Sequence, residues 1–298
     1  MDENVSKSGH FFESHGIKCA ADLYLPAEAS EKLPCIIMAH GFSGTKDMLP
    51  AFANQFALNG FAVLAFDYRH FGESEGSPRQ IINIRKQRED YSAAIEFVHS
   101  LDFINSGKIV LWGSSLSGGH VLHVASKDPS IAAVIVQVPF IDAYKGGGSE
   151  NAPAKIKLKL IYAALRDTVH GLFRLPPYLV PVIGKPREYA AMTEPDAMPL
   201  ADSLLNEGSS WRNEFAPRVA FQMPRYAKGT AESLKIPVLF CIAEFDIQAS
   251  PAYAVKIAKK ISNVEIKIYR SSHFGIYTGK MREQVISDQL EFLYKNLS

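Results

Sequence analysis

The sequence is poor in cysteine, carries almost no net charge and contains no motif for a metal ion. Its three cysteines, Cys19, Cys35 and Cys241, are too few and too scattered for a disulfide framework, and no zinc-ligand spacing is present. The 32 basic and 31 acidic residues give a formal net charge of +1, so no global field favours nucleic acid or an anionic membrane. We therefore expect local sites to recognise a small-molecule substrate, with no cofactor and no metal.

Long apolar runs are also missing. No segment reaches the roughly 18 apolar residues expected of a membrane span, and residues 1–7 lack the apolar centre of a signal peptide. We therefore expect a cytoplasmic protein with no stable membrane span. With 298 residues, of which 47% are hydrophobic, the chain can bury a large core. The oligomeric state stays open, and a homo-oligomer is one alternative.

A strand-like run leads directly into a cluster of small residues. Residues 108–112 read KIVLW, and GSSLSGG follows at 113–119. The pattern G-x-S-x-G marks a sharp turn between a strand and a helix, where small neighbours let the central serine adopt a strained backbone conformation. Ser115 is therefore the candidate nucleophile. Ser117 replaces the glycine of the fifth position, and a turn without catalytic function is the alternative interpretation of this motif alone.

A serine nucleophile needs a base, and the base needs a carboxylate that orients it. The buried strand predicted at 236–243 is followed by Asp246, and the alternating strand at 264–269 is followed by His273. Parallel strands bring their carboxyl ends to one edge of a sheet, so both side chains can meet Ser115 there. The order serine, aspartate, histidine predicts a catalytic triad.

Two other carboxylates are rivals for the orienting role. Glu244 stands at the same strand end as Asp246, and Asp142 follows the strand predicted at 131–136. We favour Asp246 because a helix and then His273 follow it along the chain.

The loop HGFSG at 40–44 follows the apolar strand predicted at 33–39. The tetrahedral intermediate of acyl transfer carries an anionic oxygen, which needs one backbone N–H from the residue after the nucleophile and one from such an earlier loop. The N–H groups of Leu116 and Phe42 are the candidate donors. By itself the loop would be interpreted as a flexible turn, but its position in the order of strands supports the catalytic interpretation.

Strand and helix patterns alternate along the chain. This predicts an α/β fold with a mostly parallel central sheet and helices on both faces. Two opening strands, near 10–14 and 17–25, are expected to form an antiparallel edge, and a helix is predicted over 47–59.

Four polar residues are expected to have structural and not catalytic roles. Asp67 and Arg69, in the loop after the strand at 61–66, are expected to form an ion pair. His120 and His123 lie three residues apart without a third ligand nearby, so we expect them on a helix surface and not at a metal ion.

The alternation stops between residues 143 and 226. This predicts a lid inserted between the two parts of one core, 1–142 and 227–298. Gly146-Gly147-Gly148 would make a flexible entrance to it.

Residues 156–173 of this insertion show helical spacing. We expect the apolar stripe of the helix to pack on the core, whereas contact with a membrane or a partner subunit is the alternative that its lysines suggest. The apolar segment that follows makes Phe173 and Tyr178 candidates for the walls of a substrate pocket.

Together these segments resemble an α/β-hydrolase of the serine hydrolase kind, and most closely the branch of dienelactone-hydrolase-like and X-Pro dipeptidyl-peptidase-like proteins. The resemblance covers nearly the whole chain and rests on HGFSG at 40–44, DYRHFGESEG at 67–76, GSSLSGGH at 113–120, AEFDIQASP at 243–251 and SHFGIYTG at 272–279. It implies the α/β-hydrolase fold, the triad Ser115, Asp246 and His273, and hydrolysis of an ester or a related acyl bond.

We therefore expect a carboxylesterase-like serine hydrolase that acts on a small to medium, largely apolar substrate through an acyl-enzyme. A peptidase, a thioesterase, a carbon–carbon bond hydrolase and an acyltransferase are alternatives, because all of them can use this triad. The non-enzyme alternative is a ligand-binding protein on the same fold. A pure receptor has no physical need for all three triad groups, which argues against it.

Overall fold

A computed structural model describes residues 4–28, 32–145, 153–205 and 208–297. Within these ranges eight strands form one sheet: β1 (Val5–Ser14), β2 (Ile17–Pro26), β3 (Leu33–Ala39), β4 (Ala62–Phe66), β5 (Ile104–Ser114), β6 (Ile131–Gln137), β7 (Val238–Ala243) and β8 (Val264–Tyr269). The α-helices are α1 (Pro50–Leu58), α2 (Ile84–His99), α3 (Leu116–Ala125), α4 (Ala154–Leu172), α5 (Ala197–Leu204), α6 (Thr230–Ser233), α7 (Pro251–Ala258) and α8 (Gly279–Leu297). Short 3₁₀ turns lie at Lys46–Met48, Pro217–Phe221 and Gly275–Tyr277.

The strands are arranged in the order β1-β2-β4-β3-β5-β6-β7-β8. β2 pairs antiparallel with both β1 and β4, and all the other neighbours are parallel. This confirms the predicted mostly parallel sheet and its antiparallel edge. The carboxyl ends of β3, β5, β7 and β8 therefore lie along one edge of the sheet, where their loops can share a site.

Two apolar cores cover the two faces of the sheet. Helices α2, α3 and α7 supply Tyr91, Leu122 and Ile257 to one core, and α1 and α8 supply Phe52 and Phe292 to the other. The central strands are buried on both faces, which explains why they read as continuous apolar runs and not as alternating ones.

The predicted helix over 47–59 is two elements in the structure. A 3₁₀ turn at Lys46–Met48 precedes α1, which begins at Pro50. Proline fits the first position of an α-helix, where its missing N–H costs no intrahelical bond.

The predicted ion pair between Asp67 and Arg69 is wrong. The Nε atom of Arg69 lies 2.6 Å from Oδ1 of Asp90 on α2, and that carboxylate is completely buried. The Asp67 carboxylate instead accepts backbone N–H groups from Lys46 and Glu73, at 2.7 and 3.0 Å. Burial raises the pKa of Asp67 to about 7. Asp67 thus holds the backbone at Lys46 and Glu73, whereas Arg69 joins its own loop to helix α2.

The predicted surface position of His120 is also wrong. Helix α3 packs against both the sheet and α2, and His120 is completely buried there. The Nε2 atom of His120 lies 3.0 Å from the Gln87 side-chain oxygen, and burial lowers the pKa of this histidine well below its ordinary value. His123, three residues further along α3, is half-buried.

Between β6 and β7, the described residues form no strand of the sheet. Helices α4 and α5 and the 3₁₀ turn at Pro217–Phe221 occupy this part of the chain, which we call the insertion (residues 143–226). Two isolated bridges, Val180 with Phe215 and Ile183 with Met192, tie its loops together. The glycines at 146–148, predicted to form a flexible entrance, lie outside the described residues.

The expected packing of the α4 stripe on the core is wrong. The apolar side chains of that stripe are exposed, and Ala163, Ala164 and Asp167 are buried on the opposite side of the helix. The buried Asp167 carboxylate decides this orientation, because it forms an ion pair with Arg218, whose Nε lies 2.7 Å from Oδ2 of Asp167. Among the described residues, no helix is both long and apolar enough to cross a membrane.

Candidate active site

Ser115 lies in the turn that joins β5 to α3. Its backbone has φ of 54° and ψ of −118°, a conformation that L side chains rarely adopt. Such strain persists only where the surrounding structure enforces it, and it is frequent at functional sites. The turn depends on Gly113, because a Cβ atom there would lie 2.3 Å from the backbone oxygen of Ser117.

Ser117 occupies the position where the motif has glycine, and its hydroxyl has two partners. It donates to the backbone oxygen of His40, and it lies 2.5 Å from the Tyr68 hydroxyl. All three residues are buried. The replacement therefore connects the nucleophile turn to the loop that follows β3, which explains why a serine fits there.

The structure brings the three predicted triad residues together. The Nε2 atom of His273 lies 3.1 Å from Oγ of Ser115, and its Nδ1 atom lies 2.7 Å from Oδ2 of Asp246. The second oxygen of Asp246 accepts the backbone N–H groups of Gln248 and Ala249, both at 2.8 Å. The carboxylate is therefore fixed, and it holds the imidazole in the tautomer whose Nδ1 carries the proton.

The two rival carboxylates lie in other surroundings. Asp142 accepts backbone N–H groups from Tyr144, Lys145 and Tyr226, and so holds the two ends of the insertion together. Glu244 is half-exposed and lies 3.8 Å from Arg270. Of the three carboxylates considered from the sequence, Asp246 is the one that is hydrogen bonded to His273.

The electrostatics of His273 include two acidic residues that the sequence did not indicate. Burial lowers the pKa of His273, but Asp246 raises it, with contributions from Glu194 and Asp196, and the net pKa lies above its ordinary value. Glu194 is itself buried, which raises its pKa, and it accepts a hydrogen bond from the Gln248 side chain at 2.5 Å. These acids lie in an irregular part of the insertion, where no periodicity could have indicated them.

The loop after β3 lies directly against the nucleophile turn. Gly41 permits this approach, because a Cβ atom there would lie 3.1 Å from Cβ of Ser115. Leu116, the other candidate donor, is the first residue of α3, where the N–H groups have no intrahelical partner. Both candidate donors, Phe42 and Leu116, thus belong to segments adjacent to Ser115 Oγ.

The insertion is fastened to this loop. The indole N–H of Trp211 donates to the backbone oxygen of Ser43 at 2.9 Å, and the Ser43 hydroxyl donates to the backbone oxygen of Glu214 at 3.1 Å. The ring of Phe42 packs edge to face on Phe215, with 4.8 Å between their centroids. The geometry of the Phe42 loop therefore depends on the insertion.

A small cavity, of about 80 Å³, opens at Ser115 and His273. Its walls are mainly apolar. The insertion contributes Val182, Ile183, Met192, Leu200 and Trp211.

Phe173 and Tyr178, which we predicted as pocket walls, do not line this cavity. Phe173 directly follows α4 and is 68% exposed, and the Tyr178 ring packs against the Arg166 guanidinium, 4.3 Å from the ring centroid. Both lie next to α4, whose apolar side points away from the core. Within the described ranges, no group of three or more His, Cys, Asp or Glu side chains is placed to hold a metal ion.

The fold and the arrangement at the sheet edge define an α/β-hydrolase. The chain is similar to the crystal structure of the alpha/beta hydrolase GrgF from Penicillium sp. sh18, with a TM-score of 0.79 and 22% identity over 98% of this chain and 99% of that one. Residues 15–166 match the family described as X-Pro dipeptidyl-peptidase (S15 family), and the chain belongs to that family.

Two curated relatives extend this assignment. The chain is 41% identical to the quorum-quenching protein AidA of Acinetobacter baumannii over 284 residues, which cover 95% of this chain and 92% of AidA. It is 38% identical to the thiohydrolase aneE of Aspergillus aculeatus over 143 residues, which cover 48% of this chain and 44% of that one. The chain is accordingly a hydrolase of the α/β-hydrolase fold.

Proposed function

We propose that the protein is a serine hydrolase that cleaves a carboxylic ester or a related acyl bond of a small, largely apolar substrate. The observation that carries this proposal is the position of His273, between Ser115 Oγ at 3.1 Å and Asp246 Oδ2 at 2.7 Å, at the wall of an apolar cavity. A nucleophile, its base and the group that orients the base are the parts that acyl transfer requires.

The proposed reaction has two halves. Ser115 Oγ attacks the substrate carbonyl while its proton passes to Nε2 of His273, and Asp246 stabilises the imidazolium that forms. The N–H groups of Phe42 and Leu116 bind the anionic oxygen of the tetrahedral intermediate. The imidazolium then gives its proton to the leaving oxygen or sulfur, which departs and leaves the acyl group on Ser115. Water, deprotonated by His273, releases the acid by the same steps.

We further propose that the insertion is a lid between the core parts 1–142 and 227–298. Its side chains Val182, Ile183 and Met192 form cavity walls, and Trp211 holds the Phe42 loop through Ser43. The lid would therefore determine both the shape of the acyl pocket and the position of one oxyanion donor.

Two relatives suggest more specific activities. The identity of 41% over most of the chain makes quorum quenching, as named for AidA, a second candidate function. The likeness to a thiohydrolase makes a thioester a candidate for the bond that is cleaved. Both candidates are consistent with the same triad, because the acyl-enzyme step is shared.

A screen of bond types tests the proposal. Open-chain p-nitrophenyl esters, lactones, thioesters and aminoacyl amides would be compared at equal concentration, with the Ser115→Ala variant as the control. We expect turnover of at least one ester or thioester series by the wild type and none above background by the variant. Turnover of amides alone would instead indicate a peptidase. If the wild type bound these compounds but turned over none, a ligand-binding protein would be the better description.

The dependence of activity on pH provides a further prediction. His273 must be neutral to accept the proton of Ser115, so kcat/KM should rise with pH through one ionisation of the free enzyme. Because nearby acids raise the pKa of His273, the midpoint should lie above the ordinary histidine value of about 6.5. Glu194→Gln removes one of these negative charges and should shift the midpoint to lower pH. A midpoint below the ordinary value, or one that Glu194→Gln leaves in place, would contradict this account.

Substrate size provides another prediction. Met192 lines the cavity, so Met192→Ala should enlarge it and move the preferred acyl chain to a greater length. Each methylene that becomes buried should add about 0.8 kcal/mol, which is about fourfold in kcat/KM, until the pocket is filled. Phe173→Ala is the matched control, because that side chain is 68% exposed. The measurement is kcat/KM over a series of acyl-chain lengths for the wild type and both variants. If the preferred length shifted in Phe173→Ala but not in Met192→Ala, Phe173 and not Met192 would be the pocket residue.

A further inference from the structure

Helix α4 exposes an apolar face that no described part of the chain covers. Of the sixteen large hydrophobic side chains that are exposed among the described residues, seven belong to α4 and the residue after it. These seven, which we call the α4 face, are Leu158, Ile161, Tyr162, Leu165, Val169, Leu172 and Phe173. Their spacing of three and four residues places them on one side of the helix.

The opposite side of α4 is fixed to the protein. Asp167 is completely buried, and its two oxygens accept hydrogen bonds from Nε and Nη2 of Arg218, both at 2.7 Å. They also accept the backbone N–H groups of Tyr178 and Arg218, both at 2.9 Å. Because four hydrogen bonds hold the Asp167 carboxylate, the rotation of α4 about its axis is fixed and the α4 face is directed outward.

The exposed charged side chains of α4 itself, and of the residues just beyond its end, have one sign. Lys155, Lys159 and Arg166 are exposed on the helix, and Arg174 is exposed just beyond its end. The one acidic residue of α4, Asp167, is buried in its ion pair. This local pattern differs from the chain as a whole, whose formal net charge is only +1.

We propose that the α4 face binds peripherally to an anionic lipid surface, with α4 lying parallel to the membrane plane. A helix that exposes an apolar face with basic side chains along its boundary is suited to insert between the headgroups and the acyl chains of a lipid layer. Lipid phosphates complement the basic side chains, and the acyl region takes up the apolar ones. A second copy of the chain fits less well, because pairing two such faces would bring the basic side chains of both copies together.

Co-sedimentation with vesicles tests this proposal. Phosphatidylcholine vesicles would be compared with vesicles that also contain phosphatidylglycerol, at low and at high salt. We expect binding to the anionic vesicles that weakens as salt rises. Leu165→Gln should reduce this binding about tenfold or more through the loss of a buried leucine. Lys155→Gln and Lys159→Gln should each reduce it about fivefold.

Ile268→Gln is the matched control. Ile268 is 60% exposed on β8, outside α4, so this variant loses a similarly exposed aliphatic side chain and should bind like the wild type. Thermal unfolding and esterase turnover without lipid should be the same in all these variants, because each changed side chain is at the surface. Vesicle binding is measured without turnover, so the binding proposal can be tested even if the protein cleaves no ester.

Three outcomes would overturn the proposal. The wild type could fail to bind anionic vesicles at low salt. Leu165→Gln could bind as tightly as the wild type. The wild type could also be a dimer in solution that Leu165→Gln converts to a monomer, and then a second copy of the chain covers the α4 face.

Discussion

Replacement of Ser115 by alanine is expected to abolish covalent labelling by a fluorophosphonate and to lower kcat about 10⁶-fold, the loss found when a protease of the serine type loses its nucleophile. The hydroxyl lies 3.1 Å from Nε2 of His273, on a backbone that holds it at the cavity. Without it, no acyl-enzyme can form, and only binding and oxyanion stabilisation would remain to accelerate the reaction.

Ser114→Ala and Ser117→Ala are the controls for this prediction. Their hydroxyls contact Tyr277 and Tyr68, respectively, and neither is hydrogen bonded to His273. Both variants should therefore keep fluorophosphonate labelling, measured by mass spectrometry of the intact protein. Ser117→Ala should label more slowly, because it loses the hydrogen bond that holds the backbone of His40, which lies in the same loop as the candidate donor Phe42. Unchanged turnover in Ser115→Ala would remove the proposed mechanism.

The parallel sheet could be predicted because its signal is local. Strands such as β3 (Leu33–Ala39) and β7 (Val238–Ala243) are buried on both faces, so each appears in the sequence as a continuous apolar run. Ser115 and Asp246 follow the ends of such strands, and His273 follows the end of the alternating strand β8 (Val264–Tyr269), so all three positions depend on local strand signals. A residue whose place depends on a strand end can be located from sequence alone.

The insertion could not be predicted in the same way. The period of α4 shows that its apolar residues share a side, but it does not show which side meets the core. Asp167 and Arg218 decide that, and they are 51 residues apart in the sequence. The small Ala163 and Ala164 are buried beside this ion pair, so the larger apolar residues of α4 face outward. The tendency of large apolar side chains to be buried would predict the opposite orientation.

Long-range contacts also explain the missed neighbours of the triad. Gln248 connects Glu194 to Asp246, and Trp211 contacts the Phe42 loop through Ser43. Each pair joins the insertion to the core across many residues, and neither lies on a helix or strand with a detectable period. Such contacts are a property of the folded chain and leave no local trace in the sequence.

The sequence also left open which of three carboxylates orients His273, because this too depends on contacts between distant segments. Asp142, Glu244 and Asp246 all stand near strand ends, and a carboxylate there can orient a histidine, fasten a loop or face solvent. The hydrogen bonds separate these possibilities. Asp142 is engaged by three backbone N–H groups, whereas Asp246 keeps one oxygen, Oδ2, directed at the imidazole.

Asp246→Asn is therefore expected to lower kcat about 10⁴-fold, as in the protease precedent, while the protein stays folded. The amide can still accept the N–H groups of Gln248 and Ala249, so the loop should keep its shape. However, its NH₂ group would face Nδ1 of His273, which favours the tautomer whose Nε2 carries a proton and cannot accept one from Ser115. The measurement is kcat for the best ester, together with thermal unfolding.

Asp142→Asn and Glu244→Gln are the matched controls, because each makes the same change from acid to amide at a rival position. Asp142→Asn should lower stability, since it weakens the hydrogen bonds that close the insertion, and it should leave kcat within a few fold of the wild type. Glu244→Gln should change neither quantity, because that side chain is half-exposed. A folded Asp246→Asn variant with nearly normal kcat, beside a crippled Asp142→Asn variant, would transfer the orienting role to Asp142 and place the acid after β6 instead of β7.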